Sequence, residues 1–121
     1  MIEGIFRAGH PRITLSLPMR DGEIIDLEFI VDTGFDGDLC VNEAVLQQLD
    51  AAPAGTRNNL LADGTLIRSP VYQILLPFGD EERWVQVVVL PGNLLLGTTL
   101  LQNFLLRIEL TEGGEVLAES R

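Results

Sequence analysis

The feature that most constrains the fold of this chain is the alternation of apolar and polar residues, which recurs along most of its length. Successive side chains of a β-strand point to opposite faces of the sheet, so a period of two predicts strands that bury one face. In the first clear case, Ile13, Leu15 and Leu17 alternate with Thr14 and Ser16. The pattern predicts an all-β protein.

Short turn sequences divide the alternating segments into hairpins. An Asp-Gly pair at 21–22 suits a tight turn that joins the first segment to another at 25–31, and a second Asp-Gly pair, at 63–64, lies between LLA and TLI. Two further strand pairs are predicted, one within 71–90 around FGDEER and one within 105–117 around Glu-Gly-Gly.

Helical spacing occurs in two short places. Asn42 is a good N-cap, and the apolar residues Val45, Leu46 and Leu49 after it fall on one stripe of two helical turns. The second place is GTTLLQNF at 97–104. We therefore expect one or two short helices in an otherwise β-rich chain.

The composition limits the class of protein and its partners. The chain has 121 residues and is 46% hydrophobic, which is enough for a core and fits one domain over residues 1–121. Its 8 basic and 18 acidic residues give a net charge of −10, so nucleic-acid binding is not expected. No apolar run approaches the roughly 20 residues that span a bilayer. No secretory signal is visible either, so we expect a cytoplasmic protein that does not bind membranes.

Two single residues exclude several kinds of chemistry. Cys40 is the only cysteine, so neither an intramolecular disulfide nor a cysteine-cluster metal site is expected. His10 is the only histidine and lies in a Gly-His-Pro sequence, where we expect a solvated loop residue rather than a catalytic one. The chain has no lysine, which excludes a phosphate-binding loop that ends in Lys. We expect no metal and no cofactor.

The segment EFIVDTGFDG places a carboxylate at the end of an apolar strand. Four of the five residues before Asp32 are apolar, which predicts that its carboxylate is not freely solvated. Gly34, two positions later, allows a close approach or an unusual backbone conformation. The tripeptide Asp-Thr-Gly alone favours a plain turn between a strand and a helix.

A calcium loop is an alternative for the same segment. Asp32, Asp36, Gly37 and Glu43 match four positions of an EF-hand loop. Gly34, however, stands where a further oxygen ligand is needed, and the preceding residues alternate like a strand instead of following helical spacing. Calcium binding is therefore the weakest of the hypotheses.

Three motifs, taken in order, resemble those of the retropepsin-like aspartic proteases. That family has an apolar strand ending in Asp-Thr-Gly, a flap hairpin in mid-chain, and two apolar residues with Gly before a short helix. In this chain the motifs are IVDTG at 30–34, LLADGTLI at 60–67 and LLGTTLL at 95–101. The resemblance covers residues 12–110, and IVDTGFDG is similar to the small bacterial single-domain members. It implies a retropepsin-like β-barrel, closed or partly open.

The resemblance also implies a role for each motif. Asp32 would be the catalytic residue, and the hairpin at 60–67 would be the flap that closes over a substrate. An ordinary surface turn is the alternative for that hairpin. The residues supporting the active-site loop would be Thr33, Gly34 and Gly97, and the flap residues near substrate would be Ala62, Asp63, Gly64 and Thr65.

The chemistry of such a site requires two carboxylates. Hydrolysing a peptide bond without a metal or a Ser or Cys nucleophile needs one group to activate water and another to donate a proton. Two neighbouring carboxylates do both, because they share one proton. One Asp-Thr-Gly supplies one carboxylate, so we expect a homodimer acting on polypeptides as an aspartic-type endopeptidase. The alternative is a non-catalytic module that binds a peptide or a partner in the same cleft.

The sequence departs from the family beside these motifs. Phe35 is bulky where retroviral members carry a small residue. Those members also carry an Arg directly after the Gly of the second motif, and this Arg pairs with an acidic residue four positions after the catalytic Asp. Here the acidic residue is Asp36, but the partner position is Thr98, so we expect this brace to be missing.

Overall fold

Ten β-strands and one short helix make up the computed structural model, which describes all 121 residues. The prediction of an all-β chain is confirmed. The elements are β1 (Ile2–Arg7), β2 (His10–Pro18), β3 (Ile24–Val31), β4 (Leu39–Val41), α1 (Glu43–Leu46), β5 (Ala52–Leu60), β6 (Leu66–Phe78), β7 (Glu81–Val89), β8 (Leu95–Leu96), β9 (Phe104–Ile108) and β10 (Glu115–Ser120).

All the strands belong to one sheet, in the order β5-β6-β7-β4-β8-β3-β2-β1-β10-β9. Neighbouring strands are antiparallel except for two parallel pairs, β3 with β8 and β4 with β7. The sheet curls far enough that β2 contacts β6. Its edges, β5 and β9, do not pair with each other, so the closed barrel among the forms implied by the resemblance is not what the structure shows.

The predicted hairpins are present, and their strands are longer than the alternation indicated. β2 pairs with β3, β5 with β6, β6 with β7, and β9 with β10, all antiparallel. The strands β1 and β4 were not predicted; β4 has 3 residues, which is too short to show a period, and β8, the strand expected before Gly97, has only 2. Both of these short strands lie next to the candidate site.

The first predicted helix is confirmed. It is α1, which follows the N-cap Asn42, whose Oδ1 accepts a hydrogen bond from Val45 N at 3.0 Å. α1 has 4 residues, and the fold contains no helix with the length and apolar character needed to cross a membrane.

The second predicted helix, at 97–104, is wrong. Residues 98–103 form successive turns instead, and Phe104 N donates to Leu101 O at 3.1 Å. Asn103 has a φ of 68°, a left-handed conformation that ends the turns and directs the chain into β9. The start of β9 at Phe104, directly after this residue, leaves no room for a helix to continue.

One cluster of 19 buried apolar side chains fills the space inside the curled sheet. Ile13, Leu15 and Leu17 of β2 belong to it, as their alternation predicted. Val31 and Leu96 also belong to it, and they end the two strands that lead into the Asp-Thr-Gly loop and the Gly97 loop. The core thereby fixes the start of both loops.

Candidate active site

Asp32 follows directly after the last residue of β3, and its backbone is fixed by β8. Ile30 and Val31 pair with Leu95 and Leu96 in parallel register. The Asp32 amide extends this pairing by donating to Leu96 O at 2.9 Å. The backbone at the catalytic candidate is therefore held by the sheet, although the side chain lies outside it.

The Asp32 side chain is half-buried and bonds within its own loop. Its Oδ1 accepts a hydrogen bond from Gly34 N at 2.9 Å, and Phe35 N donates to Asp32 O at 3.1 Å. The second carboxylate oxygen makes no hydrogen bond within the chain. Thr33 is exposed beside it. The expected partial shielding of the Asp32 carboxylate is thus confirmed.

The loop after Asp32 packs against the loop that contains Gly97, as the order of the motifs suggested. Two backbone hydrogen bonds of 2.9 Å join them, from Gly97 N to Asp38 O and from Thr98 N to Phe35 O. A third, from Thr99 N to Gly37 O, measures 3.2 Å. Asp32, Thr33, Gly34 and Gly97 therefore belong to one pair of interlocked loops.

The brace from the second motif is missing, as expected, but the Asp36 carboxylate is paired by another arginine. Thr98 does not supply a cation, but Arg57 of β5 does, and its guanidinium forms an ion pair with Asp36. The same guanidinium lies 5.8 Å from the centre of the Phe35 ring. The hydroxyl groups of Thr98 and Thr99 instead donate to backbone carbonyls of the Asp32 loop. The arginine thus comes from the hairpin rather than from the second motif.

Asp38 closes the loop on the other side. Its Oδ2 accepts a hydrogen bond from Gln86 N at 2.9 Å, just before β7 begins to pair with β4. Its carbonyl oxygen accepts from Gly97 N. The segment 32–38 is therefore tied to β8, to the Gly97 loop and to β7.

A shallow cleft of about 420 Å³ lies beside Asp32. His10 is exposed at this cleft, as expected, but it is the first residue of β2 rather than a loop residue. It makes no ion pair with Asp32. The lining residues are His10, Pro11, Ile30, Val31, Asp32, Thr33, Asn93, Leu95 and Ile108. The cleft therefore combines an apolar wall with one carboxylate, one hydroxyl, one imidazole and one amide.

The hairpin at 60–67 forms the tip of the β5–β6 pair. Leu61 N donates to Thr65 O at 2.8 Å, and Asp63 Oδ1 accepts from Thr65 N at 2.9 Å. Hydrogen bonds from the backbone and side chain of Thr65 lower the pKa of the Asp63 carboxyl below its ordinary value. Ala62, Asp63, Gly64 and Thr65 are all exposed, and none of them lines the cleft beside Asp32.

The calcium-loop alternative does not fit the structure. Residues 32–43 follow a strand and contain β4, whereas an EF-hand loop joins two helices. Asp36 is paired with Arg57, and Glu43 accepts a hydrogen bond from Gln47. The chain has no group of three or more His, Cys, Asp and Glu side chains placed to hold a metal ion.

Sequence reasoning missed Arg57, Asp38 and Gln86. Arg57 lies in a segment without clear alternation, and its side chain reaches the Asp32 loop only through the register of β5 with β6. The Gly-Asp pair before β4 could have identified Asp38 as a residue that caps the start of a strand. No sequence signal identifies its partner Gln86, because that hydrogen bond is made by the backbone.

The interlocked loops present one carboxylate with a free oxygen at the edge of an open cleft, which suits binding or activation of a water molecule when a second acid is brought to it. Comparison with protein-family models, with curated proteins and with solved structures gives no match to this chain.

Proposed function

We propose that this chain is a retropepsin-like aspartic endopeptidase that acts as a homodimer. The observation that carries the proposal is the attachment of the Asp-Thr-Gly loop to the Gly97 loop. Backbone hydrogen bonds from Gly97, Thr98 and Thr99 fix that loop from one side. The arrangement fixes the backbone on both sides of the Asp32 side chain while leaving one of its oxygen atoms free.

The reaction requires the Asp32 carboxylates of two subunits to meet. Two carboxylates at hydrogen-bond distance share one proton, because both cannot ionise easily. The ionised one takes a proton from water as it attacks the peptide carbonyl, and the protonated one donates to the carbonyl oxygen and then to the leaving amine. Each subunit would supply one carboxylate to this pair.

The remaining motif residues have supporting roles in the proposal. By resemblance, the Thr33 hydroxyl would hydrogen-bond across the two loops of the dimer, and Gly34 would line the substrate cleft. Thr33 is exposed, which leaves its hydroxyl accessible to a second subunit.

The hairpin would cover a bound polypeptide. Leu60, Leu61 and Leu66 at its tip are exposed by 71%, 36% and 68%, so they have apolar surface to place against a substrate or against the other hairpin. Closure of such a hairpin would exclude water from the reacting bond.

The direct test is cleavage of an unfolded polypeptide by purified protein across pH 3–8. Asp32→Asn keeps the Oδ1 acceptor for Gly34 N, so the variant should fold as the wild type does while cleavage falls about 10²-fold or more. Asp80→Asn, in the β6–β7 turn, is the matched control and should keep wild-type activity. Activity that persists in Asp32→Asn refutes the proposal.

Subunit mixing tests the shared site. If both carboxylates are needed, an equal mixture of wild type and Asp32→Asn should reach about a quarter of the activity of the same total amount of wild type, because only wild-type pairs are active. Once the subunits have exchanged, a mixture with half the activity would show that each chain works alone.

The alternative function is a non-catalytic module that binds a peptide or a partner in the cleft. The apolar wall beside Asp32 favours it as the second candidate. A chain that is monomeric by light scattering, binds members of a peptide library and cleaves none of them across the same pH range would favour the module.

A further inference from the structure

Arg57 contacts three consecutive residues of the loop that follows Asp32. Its guanidinium pairs with Asp36 and lies over the ring of Phe35. A Cβ atom on Gly37 would lie 2.8 Å from Arg57 Nη1, so the guanidinium also packs closely against the backbone there. The side chain is 28% exposed, although β5 is an edge strand.

We propose that Arg57 is a positioning residue: it holds the Asp32 loop from the hairpin side and couples the order of that loop to the hairpin. Its consequence for catalysis rests on the proposed function, whereas its effect on the loop does not. The Gly97 loop fixes residues 35–38 from one side through the backbone, and Arg57 contacts residues 35–37 through a side chain of β5.

The type of contact explains why an arginine is needed. A guanidinium is planar, so it can donate to a carboxylate and stack on an aromatic ring at once, which the single ammonium group of lysine does less well. The Asp36 side chain is 82% exposed, so the ion pair alone is a weak constraint. The stacking on Phe35 and the packing against Gly37 localise the guanidinium and give the ion pair a fixed geometry.

The bulky Phe35 side chain supports the Arg57 guanidinium in this arrangement. Its ring is the surface on which Arg57 stacks, and it also lies against Gly37 and Gly97. A small residue at this position would leave the guanidinium without that surface.

The same contact divides the hairpin into a held part and a free part. Arg57 pairs in register with Ser69, which is buried, and Asn59 Nδ2 donates to Ser69 Oγ at 3.1 Å. The residues beyond this point, 60–67, form the exposed tip. A closing motion would therefore involve the tip, while the base stays joined to the Asp32 loop.

Amide hydrogen exchange in the full chain tests the proposal. In Arg57→Met, the amides of Phe35, Thr98 and Thr99 should exchange about fivefold faster or more, while those of the β6–β7 pair keep wild-type rates. Arg68→Met is the matched control, because Arg68 belongs to the same hairpin but donates to Thr56 and does not contact the loop. It should leave the loop amides unchanged.

Two more conservative substitutions test the proposal if Arg57→Met does not fold. Asp36→Asn removes the charge without altering the packing, and Arg57→Lys keeps the charge without the planar donor. Both should accelerate the same amides by a smaller factor. Loop exchange at wild-type rates in these variants, or in a folded Arg57→Met, overturns the proposal.

Kinetics separate this inference from the proposed function. If the wild type cleaves polypeptides, Arg57→Met should lower kcat about tenfold or more with little change in KM, because a misplaced carboxylate impairs the reaction rather than binding. An unchanged kcat overturns the catalytic part. If the wild type cleaves nothing, the endopeptidase proposal fails, and the exchange rates still decide whether Arg57 holds the loop.

Discussion

Gly97 packs directly against the carbonyl group of Gly37: a Cβ atom at position 97 would lie 2.2 Å from Gly37 O and 2.7 Å from Phe35 O. Both obstacles are backbone atoms, which cannot rotate away as a side chain can. The close approach allows Gly97 N to donate to Asp38 O at 2.9 Å. The absence of a side chain at 97 is therefore a condition for the interlocked loops.

Gly97→Ala should destabilise the protein by about 2 kcal/mol or more, because the two loops must separate to admit the methyl group. Urea unfolding measures this change. Gly34→Ala is the comparison: the nearest atom to a Cβ there is Asp32 Oδ1, at 3.2 Å, which belongs to a side chain. Equal losses in the two variants would contradict the role given to Gly97.

Asp38→Ala should cost about 1–2 kcal/mol, because Gln86 N loses its acceptor where β4 begins to pair with β7. Asp38→Asn should cost less, since its amide oxygen still accepts. The free energy of unfolding in urea distinguishes them. Asp80→Ala is the control in an exposed turn, and a loss there as large as in Asp38→Ala would show that the effect is not specific.

The Cys40 thiol should resist alkylation in the folded protein. The side chain is 2% exposed, and burial raises its pKa, while a hydrogen bond with the Leu90 backbone opposes the rise. The Cys40 thiol therefore loses its proton at a lower pH in the unfolded chain than in the folded one. The free energy of unfolding should fall as the pH rises from about 8.5 toward the raised pKa.

Labelling at pH 8 measures the alkylation. The native chain should react about 100-fold more slowly than the chain in urea, since the thiol must be exposed by an opening of the sheet before it reacts. Similar rates in the two conditions would show that β4 is not a buried strand.

The order of the hairpin tip should depend on acid pH through Asp63. The charged carboxylate accepts from Thr65 N, so its pKa in the folded chain lies below the ordinary Asp value of about 3.9. The stabilisation of the hairpin tip by this hydrogen bond is complete above the ordinary pKa. It is lost as the pH falls through the lowered pKa. The amide proton shift of Thr65, followed by NMR between pH 2 and about 6, should report this transition.

Asp63→Ala is the control for that titration. It removes the acceptor, so the acid-dependent shift of Thr65 should disappear while the β5–β6 pairing remains. A shift that persists in Asp63→Ala would assign the transition to another group.

Sequence patterns predicted the elements whose physical cause is local. The alternation in Ile13, Leu15 and Leu17 predicted a strand, and Asn42 predicted the start of α1. The strand β4 escaped prediction because it exists only through pairing with distant strands. The turns at 98–103 replaced a predicted helix because the chain must enter β9 directly afterwards.

The residues of the candidate site also separate into those with a local sequence signal and those that depend on distant contacts. Asp32, Thr33, Gly34 and Gly97 were found from their motifs, and the structure brings them together in two interlocked loops. Arg57 was not found, because its contact with Asp36 depends on how the β5–β6 hairpin lies on the sheet. A residue that acts through register leaves no trace in the spacing of a single sequence.

The position of β8 between β4 and β3 sets the time at which the site can form during folding. The hydrogen bonds that the Thr98 and Thr99 hydroxyls donate between the interlocked loops join residues 63 positions apart. Contacts at such separation form late, because a long loop must close first. A chain emerging from the ribosome holds Asp32 without its support until the Gly97 loop has also emerged, so the candidate carboxylate gains its fixed position only after that loop is available.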